Sequence, residues 1–266
     1  MNILRRELRG GLRTLLIWIL VLGAFNVLMM GIFPSFSRDA ERAQDLMNLF
    51  PESMIKALGL NLIDLSDPIG YYALEVYLVV ILLGSVFAAM LGAGILAKEE
   101  DDKTVEFLLA RPVARTSVLL QKVSAYVVIL VAFNVGLAAL SFVAFGLFVR
   151  SAYSMAALFR LFVAPFFAHL TFASLGFLAA LFFTRRRTVY AVSIGLAMGS
   201  YFIGLVSQLA EGLAPLRWLA PTRYVESVDI VVNGRLDLGN LAILLAISVA
   251  AVGTAIALYR RRDITI

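Results

Sequence analysis

Few residues in this 266-residue chain belong to the types that make or break bonds. There is no cysteine and a single histidine, His169. Disulfides, thiolate metal centres, iron–sulfur ligation and cysteine nucleophiles are therefore excluded. So are H-E-x-x-H metalloprotease sites and paired-histidine phosphatase sites, which need a second imidazole. His169 has Ser141 and Ser174 as candidate serine partners, but neither lies in a sequence that resembles an activated-serine motif. The adjacent Glu99-Glu100 pair suggests diglutamate protease chemistry, yet the arginine and histidines of such enzymes are missing. No G-x-x-x-x-G-K-[ST] run occurs, so the chain alone hydrolyses no nucleotide. What remains is binding chemistry, carried by polar residues set in apolar runs: Asn26, Asn134, His169, Thr171, Ser174 and Gln208. In hydrocarbon such residues either bond a neighbouring helix or line a substrate path. His169 accordingly reads as an interhelical partner or as a proton switch.

The elements that position these residues follow from composition. Hydrophobic residues make up 61% of the chain and charged residues 15%, with a mean hydropathy of +0.91. A globule of this size has too little interior for that much apolar surface, so the surplus needs a bilayer. Six apolar runs are long enough to cross, at 15–33, 71–97, 119–149, 155–183, 189–209 and 238–259. The expected fold is an all-α polytopic membrane protein, one transmembrane domain over 1–266. The third and fourth runs exceed the hydrocarbon thickness and call for tilt or extension into water. The first is too long for a signal peptide and Pro34-Ser35-Phe36 is a poor cleavage site, so it reads as a retained helix. Continuous rather than alternating hydrophobicity disfavours a strand-built barrel.

Fifteen of the 23 Lys and Arg residues fall on one side of this layout, including Arg185-Arg186-Arg187 and Arg260-Arg261-Arg262. The positive-inside rule makes that side cytoplasmic, with both termini inside. The centres of the runs carry no Asp, Glu, Lys or Arg, which argues against a proton- or sodium-coupled carrier. Glu75 and Arg160 come nearest, about one turn inside the outer boundary, and are candidates to pair across the second and fourth spans.

At the N-terminus, Leu4, Leu8 and Leu12 form one ridge and Arg5, Arg9 and Arg13 the next. That pattern suits a helix on the inner surface, or simply a basic anchor. Gly10-Gly11 weakens a helix there by about 2 kcal/mol relative to alanine. The charged face at 37–49 predicts helix in the first outer loop, and 211–237 predicts an outer-surface helix or re-entrant hairpin. Gly195 and Gly199 form a G-x-x-x-G that permits close backbone approach, within the chain or across a dimer.

The inner loop KEEDDKTVEFLLARPVARTSVLLQK is the most informative segment. It opens with Glu99, Glu100, Asp101 and Asp102 and closes with Arg111, Arg115 and Lys122, which complements a helix macrodipole. Val105, Leu108 and Leu109 share one face, and Pro112 ends the helix. Such an apolar stripe needs a cover: lipid, the chain's own helices, or another protein.

This segment resembles the type-2 ATP-binding-cassette permeases, the membrane halves of ABC exporters. The likeness rests on Lys98-Glu99-Glu100, on Lys103-Thr104-Val105-Glu106-Phe107-Leu108-Leu109-Ala110-Arg111-Pro112-Val113-Ala114-Arg115, and on Lys122. Lys103 stands where the family usually has Gly, and Ala114 where it has Ser. Pro51-Glu52, Gly59, Pro68, Gly70-Tyr71, Glu75 and the ending Tyr259-Arg260-Arg261-Arg262-Asp263 resemble the family too. The resemblance implies a multi-pass plasma-membrane permease of prokaryotic type, paired with a second permease as homodimer or heterodimer. It implies a cytosolic ABC ATPase that binds ATP and Mg, with no cofactor on this chain and no nucleic-acid partner. The inner helix would be a coupling helix, with Val105, Leu108 and Leu109 as docking area and Glu99, Glu100, Glu106, Arg111 and Arg115 setting orientation. Asn26, Asn134, His169, Thr171 and Gln208 are the candidate substrate path, and Gly195 and Gly199 the candidate dimer contact. A scaffold or channel-like subunit and a membrane-embedded enzyme are the competing classes.

Overall fold

The computed structural model describes residues 3–38, 62–101, 114–183, 185–209 and 211–261, and of residues 99, 100, 115, 209 and 211 the backbone only. All regular structure in these residues is helical. Six helices are long and apolar enough to cross a membrane. We label the helices α1 (Ile3–Arg38), α2 (Pro68–Lys98, helical on to Asp101), α3 (Arg115–Phe148), α4 (Met155–Ala179), α5 (Arg186–Leu209), the short α6 (Ser227–Asn233) and α7 (Leu238–Arg261).

α1 is one unbroken helix of 36 residues, about 54 Å at 1.5 Å per residue. The hydrocarbon core takes about 30 Å of that. The surface helix anticipated from the Leu4-Leu8-Leu12 and Arg5-Arg9-Arg13 ridges is not a separate element; those ridges are the first turns of α1, which runs on through Gly10-Gly11. The reason is tertiary. Gly11 packs so close to α3 that a Cβ there would sit 2.7 Å from Ile129 Cδ1, and Glu7 is buried one turn earlier. Packing overrides the local cost of the glycine pair.

α2 starts at a defined cap: Asp67 Oδ2 accepts from the amides of Ile69 and Gly70, both at 3.0 Å, with Pro68 in the first turn. A π-helical turn at Tyr72–Val76 follows. It buries Tyr72, Ala73 and Val76 and leaves Glu75 exposed. Glu75 and Arg160 consequently do not form the ion pair anticipated for them. Ser154 caps α4, its Oγ accepting from Ala157 N at 3.2 Å. The stretch 211–237 is neither a single surface helix nor a hairpin. It folds as two 3-10 segments, Glu211–Leu219 and Pro221–Val225, then α6, which Gly234 ends in the left-handed region at φ 60°.

α2 and α4 form the middle of the bundle. Their apolar stretches are 67% and 61% buried, against 17% for α5 and 28–33% for α1, α3 and α7. α1 packs on α3, α5 on α2, and α7 on α4. Two glycines allow the central pair to meet backbone to backbone. A Cβ on Gly92 would lie 1.9 Å from the Ala173 carbonyl oxygen, and one on Gly176 would lie 2.2 Å from that of Ala89. Small residues at such crossings replace the hydrophobic drive that lipid removes. A Cβ on Gly195 or Gly199, by contrast, would meet nothing within 4 Å. Among the described residues the G-x-x-x-G therefore mediates no close approach. Large apolar side chains such as Leu20 and Leu28 on α1 and Phe202 and Ile203 on α5 are exposed, as a hydrocarbon-facing surface requires.

Candidate functional site

The described residues on either side of the segment 102–113, the end of α2 and the start of α3, meet on one carboxylate. Lys98, in the last turns of α2, places Nζ 2.5 Å from Glu7 Oε2. Lys122, two turns into α3, places Nζ 3.6 Å from Glu7 Oε1 and donates to the Ile95 carbonyl at 2.5 Å. Arg6 adds a contact to Glu7 Oε1 at 3.2 Å. The side chains of Glu7 and Lys122 are only 2% and 1% exposed. Charges so buried persist only when opposed and hydrogen-bonded. Glu7 thus ties α1 to the helix that enters the loop and to the helix that leaves it. The start of α5 joins the same end, its Arg186 amide facing Asp101 Oδ1 at 3.3 Å.

Sequence reasoning missed Glu7. The available signal was that it is the lone acid among the first 38 residues, within an arginine-rich start. Of the proposed coupling residues, Val105, Glu106, Leu108, Leu109 and Arg111 lie outside the described residues, as do the side chains of Glu99, Glu100 and Arg115.

The polar residues inside the spans form interhelical contacts, among them that of Ser174 Oγ on α4 with the Tyr126 hydroxyl on α3 at 3.1 Å. Asn26 on α1 donates through Nδ2 to Ser141 Oγ on α3. Ser141 donates to Leu137 O at 2.9 Å, so the Tyr72 hydroxyl, 3.1 Å away on α2, is the donor to it. His169 Nδ1 on α4 lies 3.1 Å from Asn134 Oδ1 on α3, while Asn134 Nδ2 donates to Leu130 O. That pairing assigns the proton to Nδ1 and leaves Nε2 bare, without a partner and packed against Gly84. Thr171 on α4 reaches Leu244 O at 3.1 Å and Ser248 Oγ at 3.2 Å on α7. Asn26, His169 and Thr171 are fully buried in these contacts. Asn134 and Gln208 instead border cavities.

Gln208 belongs to a strap across the end of the bundle opposite Glu7. Its Nε2 donates to Glu226 Oε1 at 3.0 Å, and Arg223 holds Glu226 Oε2 at 2.9 Å and Asp229 Oδ2 at 2.6 Å. Tyr77 on α2 donates to the Val225 carbonyl at 2.6 Å. Arg217 and Arg223 both stack on Trp218, at 5.0 and 5.5 Å from its ring centre. A cavity of about 120 Å³ lies beneath, between α2, α5 and the strap. Burial raises the Glu226 carboxyl to about 7; Asp229 adds to the rise, and Arg223 and Gln208 oppose it. No group of three potential metal ligands is present among the described residues.

The geometry is that of a membrane bundle with two polar ends and no catalytic constellation among the described residues. Compared with known families, the chain matches the family model described as ABC-2 family transporter protein over residues 1–264. No curated protein sequence matches it.

Proposed function

Because the chain belongs to the ABC-2 family of transporter proteins, we propose that it is the permease of an ATP-driven exporter whose ATPase is a separate cytosolic chain. It is a multi-pass membrane transport component and not itself an enzyme. ATP and Mg are bound by the partner. The loop bearing Val105, Leu108 and Leu109 docks on that partner, and Glu99, Glu100, Glu106, Arg111 and Arg115 set its register, since rim charges fix orientation more than affinity. Two permeases line the substrate path, with the face of Gly195 and Gly199 turned to the second copy. The basic ends of the spans lie on the cytoplasmic side of the plasma membrane.

The observation that carries this reading is the convergence of Lys98 and Lys122 on Glu7. Ion pairs that join the flanking ends of α2 and α3 to α1 would let a push on one of them reach all three. That is what a lever driven from outside the membrane requires. Affinity purification of the chain in mild detergent from its native host tests the reading: a P-loop ATPase should co-purify in near-stoichiometric amount. Recovery of the permease alone, with ATP-independent transport after reconstitution, would overturn it.

A further inference from the structure

A cavity of about 170 Å³ opens beside the Glu7 cluster, between α1, α2 and the start of α5. Its inner end is ionic, bordered by Lys98, Arg186 and the Glu7 carboxylate. Its deeper wall is apolar, made by Trp18, Met90 and Leu91. Leu91 and Lys98 are seven residues apart on one helix, so the two ends are separated by roughly 10 Å along the axis. The Trp18 ring, 5.5 Å from that of Phe87, closes the deep end.

Two glycines shape this space. Gly10 borders the cavity, and a Cβ there would meet nothing within 4 Å. Gly94 lets Tyr190 lie so close that a Cβ would fall 2.4 Å from its hydroxyl. Tyr190 in turn carries Arg186: the guanidinium carbon sits 5.2 Å from the ring centre and Nε donates to the hydroxyl at 2.9 Å. The arginine is thus aimed by its own helix, with its two terminal nitrogens open to a ligand among the described residues. No carboxylate pairs with the Arg186 side chain among the described residues.

We propose that this cavity receives the anionic headgroup of an amphiphile, a phosphate or carboxylate held between Arg186 and Lys98 with its chain against Trp18 and Leu91. A guanidinium offers two parallel donors to such a group, and an ammonium has three donors, of which Glu7 takes one direction. The ligand competes with Glu7 for Lys98, so its arrival is felt at the root of the inner loop. This names a ligand class for the transport reading and rests on that reading for the route of the signal, not for binding.

The test uses the purified chain in dodecyl maltoside micelles. Trp218→Phe leaves Trp18 as the single tryptophan. Dibrominated phosphatidic acid, titrated in a background of phosphatidylcholine, should quench Trp18 at about tenfold lower mole fraction than dibrominated phosphatidylcholine. Arg186→Gln should bring that ratio to within twofold of unity, Arg186→Lys should keep most of it, and Gly10→Leu should abolish quenching preference by filling the space. Equal quenching by both probes, or a ratio unchanged in Arg186→Gln, overturns the proposal. The assay contains no ATPase, so its failure leaves the transport reading standing, and a missing ATPase partner leaves the binding result intact. Adding Mg-ATP to the assembled complex then separates two sources. Loss of quenching marks a cargo carried away, retention marks a resident lipid of the inner leaflet, and each supports the site.

Discussion

Glu7 and Lys98 stand 91 residues apart in the chain, and their side chains meet at 2.5 Å at one end of the bundle. The pair joins the first span to the helix that opens the inner loop, and Lys122 closes the triangle from the helix that follows it. A carboxylate in that position acts as a hub: it is the shared partner of three cations on three segments of the structure.

Removing the hub takes one carboxylate partner from the buried Lys122 and from Lys98. Breaking a buried pair from one side costs about 3–5 kcal/mol, with the lower end expected here because Lys98 keeps a quarter of its surface exposed. Glu7→Gln should therefore lower the thermal midpoint of the detergent-solubilised chain clearly. Glu7→Asp, which keeps the charge, should lose less than Glu7→Gln. Differential scanning fluorimetry on the parent and the two variants reads both effects.

Overpacking the central crossing should be costly and specific. Gly92→Ala and Gly176→Ala force a methyl onto a backbone carbonyl, which cannot swing aside as a side chain can. Each should destabilise the bundle by at least about 1–3 kcal/mol. Gly195→Ala and Gly199→Ala meet open space within the chain and should leave the melting of the monomer unchanged. Chemical unfolding in mixed micelles separates the two pairs.

The strap carries a pH dependence. Burial raises the folded-state Glu226 carboxyl from 4.5 to about 7, so between those values the folded chain holds a proton that the unfolded chain has released. Stability from this group is therefore present at low pH and falls as pH rises through that window. Glu226→Gln should flatten this part of the profile between pH 5 and 8. Melting temperatures of parent and variant across the range measure it, and a parent profile that rises through the window contradicts the assignment.

Much of the architecture was legible before any coordinates, and for one physical reason. A lipid solvent forces each crossing segment to be helical and apolar over its whole length, and six runs met that demand. Local signals were less dependable. Gly10-Gly11 read as a weak point in a helix, yet contacts such as Gly11 on Ile129 carry α1 straight through it. The G-x-x-x-G at Gly195 and Gly199 was visible because both glycines lie on one helix. The close approach within the chain uses Gly92 and Gly176, single glycines on different helices that no one-helix motif connects. Glu7 was invisible in the same way, because its partners belong to distant segments. Glu75 looked like a partner for Arg160 because both lie about one turn inside the same boundary, yet Glu75 is exposed in the π turn at Tyr72–Val76.

The central claim is that the segment between Lys98 and Lys122 is what the ATPase grips. Leu108→Asp places a charge in the proposed docking face. The decisive measurement is the amount of ATPase that co-purifies with Leu108→Asp relative to the parent chain, taken beside the thermal midpoint of each. The account predicts at least a tenfold loss of bound ATPase at an unchanged midpoint. Parent-level ATPase binding with parent-level transport would contradict it.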